Sequence, residues 1–168
     1  MFFIWGMLHM AYAQEDEVVL WTPERKLSWS DFKGRPSANS GAAAITASGI
    51  TYSFSAQGTN DKMVLDFKVD TYFYPEKSWY IPKLANPTIL GHEQLHFDIA
   101  EVFARKLRRI LDTTQFTGNA KYEVKEIYRN ILHELNNYQN QYDSETNFSR
   151  DTVQQLSWNK NIKKILND

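Results

Sequence analysis

The hydrophobic period of this chain switches once, near Asn86-Pro87, and that switch limits the possible folds more than any other feature. Before it, apolar residues alternate. Met63, Leu65, Phe67, Val69, Thr71 and Phe73 fall on one face of an extended segment, opposite Asp66, Lys68 and Asp70. Ile50, Tyr52 and Phe54 alternate likewise with Thr51, Ser53 and Ser55, and Gly58-Thr59-Asn60-Asp61 lies between the two runs. This pattern predicts an antiparallel hairpin. Val18 to Trp21 adds a further strand, and the stretch from Arg35 to Gly41, rich in Pro, Ser, Asn and Gly, reads as a loop.

After the switch the period is helical. Asn86 suits the N-cap, and Pro87 suits the first helical position, where its missing N–H would be unpaired anyway. This helix is expected to run to about Asp112. A second, from about Ala120 to Tyr142, places Val124, Tyr128, Ile131, Leu135, Tyr138 and Tyr142 on one stripe. A last helix follows Ser149, with Val153, Leu156, Ile162 and Ile165 as its expected inner residues. The expectation is α+β: a small antiparallel sheet in the N-terminal half, then a helical half.

Composition removes several function classes. The chain has no cysteine, which excludes disulfide scaffolds, thiolate zinc sites and cysteine nucleophiles. Its 19 basic and 20 acidic residues give a net charge of −1, and no basic stripe tracks phosphates, so nucleic acid is not an expected partner. The densest basic run, Arg105-Lys106-Leu107-Arg108-Arg109, reads as a solvated helix face. Met1 to Met10 is apolar apart from His9, and Ala11-Tyr12-Ala13 supplies a small-x-small cleavage pattern. Residues 1–13 therefore read as a signal peptide, although no Lys or Arg precedes the apolar run. Residues 14–168 would form a single exported domain, secreted or periplasmic, with no transmembrane segment after cleavage.

The chemistry-bearing motif is His92-Glu93-Gln94-Leu95-His96 on the first long helix. A helix puts residues i and i+4 on one face, so two imidazoles can bind one zinc ion while the glutamate beside them serves as general base. At about 100° per residue, Ile89, His92, His96, Ile99, Phe103, Leu107 and Ile110 share a stripe. Two histidines a turn apart on a buried face, with an acid alongside, are costly to bury without a partner, and a metal is one that satisfies them. On the same wheel Asp98 and Glu101 point away and read as solvent-facing charges. His133 lies opposite the stripe of its own helix. None of the three suits a third ligand.

The run Gly91-His92-Glu93-Gln94-Leu95-His96-Phe97-Asp98-Ile99-Ala100-Glu101 resembles the core of a bacterial family described as predicted secreted zinc-dependent proteases, a domain of unknown function (nine-two-two). Leu27-Ser28-Trp29-Ser30-Asp31-Phe32-Lys33-Gly34, Thr46-Ala47-Ser48-Gly49, Ser78-Trp79 and Tyr142-Asp143-Ser144-Glu145-Thr146 agree with it too. The resemblance implies a zincin-like fold, a Zn2+ cofactor, a peptide or protein substrate, His92 and His96 as ligands and Glu93 as catalytic base. It also implies a histidine ligand at the position held here by Phe148, which cannot bind zinc. Three alternatives follow: Glu145 replaces it, which extrapolation of the second helix narrowly favours; Asp143 does so; or the site is incomplete and the protein is a non-catalytic relative. By analogy with zincins, the strand ending near Tyr74 would offer an edge to an extended peptide. Trp29, Phe32, Trp79 and Trp158 read as core aromatics.

Overall fold

The computed structural model describes residues 17–37 and 40–167, so the signal-like segment lies outside the described residues. Strands β1 (Val19–Leu20), β3 (Ser48–Thr59) and β4 (Lys62–Phe73) form an antiparallel sheet in the order β1-β4-β3. A second sheet pairs β2 (Ala44–Ile45) with β5 (Trp79–Tyr80). The hairpin of β3 and β4 pairs from Ser48 with Phe73 out to Thr59 with Lys62. Near its turn Gly58 has φ +146°, and a Cβ there would lie 2.2 Å from the Lys62 carbonyl oxygen, so glycine is required. The alternation read from β4 is real: Val69, Thr71 and Phe73 are buried, while Lys62, Val64, Asp66 and Lys68 are exposed.

Three helices follow the strands: α1 (Pro87–Thr113), α2 (Ala120–Glu145) and α3 (Thr152–Asn167). The architecture is thus α+β, sheet first and helices second. Asn86 caps α1 as expected, its Oδ1 accepting from Ile89 N at 3.0 Å. The inner face of the sheet (Ile50, Val69) packs on α1 through Ile99, Phe103 and Leu107. The same core continues into Val124, Ile131 and Leu135 of α2 and Trp158 and Ile162 of α3. Leu27, Phe32, Phe73 and Phe97 make a second cluster at the other side of α1, with Trp29 packed against it. No helix among the described residues is long and apolar enough to cross a membrane.

Three expectations change. Helix α3 keeps Ile162 and Trp158 buried as expected but turns Gln155 inward with them, whereas Val153, Leu156 and Ile165, also expected inside, are 74%, 68% and 43% exposed. The core presents α3 with a partner for an aromatic and an amide, and those set its rotation. Strand β4 is central, with Phe73 paired to both Val19 and Ser48, so its end is not a free edge. Asp98 and Glu101 are buried, at 8% and 4% exposure, because α1 is covered on both sides.

Candidate metal centre

Helix α1 presents His92 and His96 one turn apart toward α2, where Asp143 meets them. The Oδ1 of Asp143 lies 3.0 Å from each histidine Nε2, and the two Nε2 atoms are 3.2 Å apart. His92 and His96 are buried, and the Tyr142 ring stacks on His92 at a centroid distance of 4.5 Å while meeting His96 edge-on at 5.0 Å.

The outer nitrogen of each imidazole is held by an amide oxygen. His92 Nδ1 donates to Gln155 Oε1 at 2.9 Å, and His96 Nδ1 donates to Gln139 Oε1. Both amides are oriented by their own nitrogens. Gln155 Nε2 donates to Asn159 Oδ1 at 2.9 Å and to the Tyr142 hydroxyl at 2.6 Å; Gln139 Nε2 reaches the His96 carbonyl at 3.4 Å. With Nδ1–H committed outward, the neutral tautomers turn both Nε2 lone pairs toward each other and toward a carboxylate. Three converging acceptors need a cation or a proton. Burial alone would push His96 down, but its bond to Asp143 and the charges of Glu93 and Asp143 outweigh that and raise its pKa. Burial would raise Asp143, yet its bonds to His92 and His96 hold it far below the usual carboxylate range.

The donor set fits zinc. A tetrahedral ion with bonds of about 2.0–2.1 Å has donor–donor edges of about 3.3 Å, close to the 3.0 and 3.2 Å separations found here. The ligand atoms of His92, His96 and Asp143 form the candidate metal-holding group among the described residues. Glu145, which extrapolation of α2 favoured, stands elsewhere: it is exposed, and its carboxylate accepts from Trp158 Nε1 at 2.8 Å and Gln141 Nε2 at 2.7 Å. Asp98, Glu101 and His133 stay outside the site, His133 on an exposed surface and the two acids on the sheet side of α1.

The group opens on a cleft of about 840 Å³ between β2, α1, α2 and the α2–α3 turn. Glu93 is 5% exposed and lines this cleft, and no hydrogen bond to its carboxylate is present among the described residues. Its backbone carbonyl accepts from Thr46 Oγ1 at 3.1 Å, which ties β2 to the motif. Strand β2 has β5 on one side only. Ile81 N donates to Ala43 O at 2.8 Å, and Ala44 pairs with Tyr80. Antiparallel alternation therefore directs the N–H and C=O of Ala44 away from β5, on the edge that lines the cleft. Trp79 is buried and does not line it.

Phe148 does line it, 60% exposed, in a turn where Asn147, Phe148 and Ser149 have φ of 48°, 53° and 71°. Three consecutive left-handed residues other than glycine cost roughly 1–3 kcal/mol each. Phe148 N bonds to Asp143 O at 2.8 Å and Asp151 N to Thr146 O at 2.8 Å, which hold the turn against the end of α2.

Gln139 and Gln155 had gone unremarked in the sequence. Their signal was available: each interrupts a buried helical stripe, Gln139 between Leu135 and Tyr142, Gln155 beside Trp158 and Ile162. A polar residue on an inward stripe needs a polar partner, and here that partner is a histidine.

Comparison with functionally curated proteins and with solved structures gives no match. A family model does match, over residues 30–150, and its description is a bacterial protein of unknown function. The match contains α1, α2, Asp143 and Phe148 but stops short of α3. Covering well over half of the sequence, it establishes that the chain belongs to the DUF922 family of bacterial proteins.

Proposed function

We propose that the protein is an exported zinc-dependent peptidase. One observation carries this reading: two histidine Nε2 atoms and the Asp143 carboxylate converge at separations suited to zinc, beside Glu93 in the same cleft. A zinc ion there would supply a Lewis acid that polarises a carbonyl and acidifies a water molecule. His92, His96 and Asp143 would hold it, with Gln155 and Gln139 keeping both imidazoles in the ligating tautomer. Glu93 would take a proton from water as the water oxygen bonds the carbonyl carbon, and return that proton to the amine nitrogen as the C–N bond breaks. Ala44 and Ile45 of β2 and the adjoining Thr46 line the cleft, so an extended peptide crossing it would lie along this strand. The zinc content, the peptide substrate and export of residues 14–168 are all parts of this proposal.

Glu93→Gln tests it. The variant should keep its metal and lose hydrolysis of a casein or peptide substrate; retained hydrolysis would remove Glu93 from the mechanism. A second reading, a non-catalytic relative with a weakened metal site, is favoured by Phe148 at the cleft wall next to Asp143. It predicts that Phe148→His raises zinc affinity at least by the ~10-fold that lesser changes around metal sites produce, while the parent chain hydrolyses nothing. Measurable turnover by the parent, abolished in Glu93→Gln, excludes it.

A further inference from the structure

We infer that Arg150 is a specificity-determining residue of the cleft and takes a carboxylate of the bound peptide. The inference rests on the peptide reading of the cleft. Among the described residues that line it, Arg150 is the one Lys or Arg. The other charged groups there, Glu93 and Asp143, are acidic and sit at its chemical centre.

Arg150 also has donors to spare. Among the described residues Arg25, Arg105, Arg108 and Arg129 are each paired with a carboxylate, whereas Arg35, Arg109 and Arg150 are not, and of these three Arg150 lines the cleft. No such partner lies within reach of Arg150 among the described residues. Its one side-chain bond is from Nη1 to Asn147 O at 3.3 Å, a long contact within its own turn. The fork of Nε and Nη2 remains uncommitted, and a planar guanidinium fits a carboxylate with two parallel bonds. Its position is set by the backbone: Arg150 N donates to Asn147 O at 3.2 Å, directly after the three left-handed residues. The main chain of Arg150 is thereby fixed beside the cleft, directly after a strained turn.

The ligand class is a peptide bearing a carboxylate a short distance from the bond placed over the centre. Two sources share this chemistry, a free C-terminus and an Asp or Glu side chain, and the experiment separates them.

The full chain carrying Glu93→Gln, so that nothing is cut, would be titrated with fluorescein-labelled hexaalanine having a free C-terminus, and with its C-terminal amide. Amidated versions with Glu or Gln placed at each position in turn complete the set. One carboxylate arm should bind about tenfold more tightly than its neutral counterpart, as a charge-assisted bidentate pair provides. Arg150→Gln should bring that ratio to one without weakening the neutral peptides, and Arg150→Lys should keep part of it. A ratio of one in the parent, a ratio that survives Arg150→Gln, or no binding by any peptide overturns the proposal. Zinc content on the same samples keeps the two readings apart. Zinc without carboxylate preference refutes the role of Arg150 alone; preference without zinc refutes the metal reading alone.

Discussion

Helix α1 buries charge on both of its sides. On the sheet side, Asp98 accepts from Trp21 Nε1 at 2.8 Å and Gln94 Nε2 at 2.9 Å. Glu101 accepts from Thr71 Oγ1 at 2.7 Å and pairs with Arg108 at 2.8 Å and Arg105 at 3.3 Å. On the cleft side, His92, His96 and Asp143 turn their acceptors toward one another, and the Glu93 carboxylate has no hydrogen bond among the described residues. The sheet-side cluster is complete because the chain brings its own donors and cations. Among the described residues no Lys or Arg pairs with the cleft-side cluster, and two further side chains, Gln139 and Gln155, hold the histidines in that arrangement. Burial of charge is therefore common to both; convergence of acceptors distinguishes the candidate metal site.

Replacing a carboxylate on each side in turn tests this contrast. The largest effect is expected at Glu93, where Gln should lower peptide hydrolysis by about 10²–10⁴-fold with thermal stability and zinc content retained. Glu101→Gln should do the opposite: specific activity is kept, but unfolding in urea shows a loss of about 2 kcal/mol as two arginines face a neutral amide. That figure stands below the usual cost of a broken buried pair because Arg105 and Arg108 are 32% and 35% exposed. If Glu101→Gln abolished hydrolysis in folded protein, the division between the sides would be wrong. Next in size, Gln155→Leu should weaken zinc binding by about 10-fold, with Gln155→Glu restoring it. Equal zinc affinity in all three proteins would mean that Gln155 merely fills space.

The smallest effect is in pH, and its sign follows from the two shifted groups. His96 has a raised pKa, so its proton stabilises the zinc-free fold below the ordinary histidine value of 6.5, and this is lost as pH rises through the raised value. Asp143 has a lowered pKa, so its contribution is present above 3.8 and lost as pH falls through the lowered value. Zinc-free protein should thus be favoured by this pair between 3.8 and 6.5, as thermal melts across pH would show. Zinc competes with the His96 proton, so its affinity should climb with pH through that range and above. A pH-independent zinc affinity would place His96 outside the ligand set.

Much of this was legible beforehand, and the misses share a cause. The Asn86 cap, the helical spacing of His92 and His96 and the alternation in β4 are local properties that a periodicity reading captures. A helical wheel, however, assumes one inner face. Helix α1 has two, so Asp98 and Glu101 were assigned to solvent although Trp21, Thr71 and two arginines enclose them. Choosing between Asp143 and Glu145 required knowing where α2 crosses α1. The two positions differ by about 200° on a wheel, and only packing decides which one meets the histidines. Helix α3 misled for a related reason: its apolar residues Val153 and Leu156 lie outward, while Gln155 is drawn in by His92 and Tyr142. Strands β2 and β5 are two residues each and carry no readable period.

The central claim is that the cleft side of α1 is built around a cation held by His92, His96 and Asp143. Elemental analysis of protein equilibrated with zinc and then desalted tests it most directly, on the parent chain, Asp143→Ala and Glu145→Ala. The account predicts about one zinc per chain in the parent and in Glu145→Ala, and its loss in Asp143→Ala. A parent chain without zinc, or zinc that survives Asp143→Ala and disappears in Glu145→Ala, would contradict it.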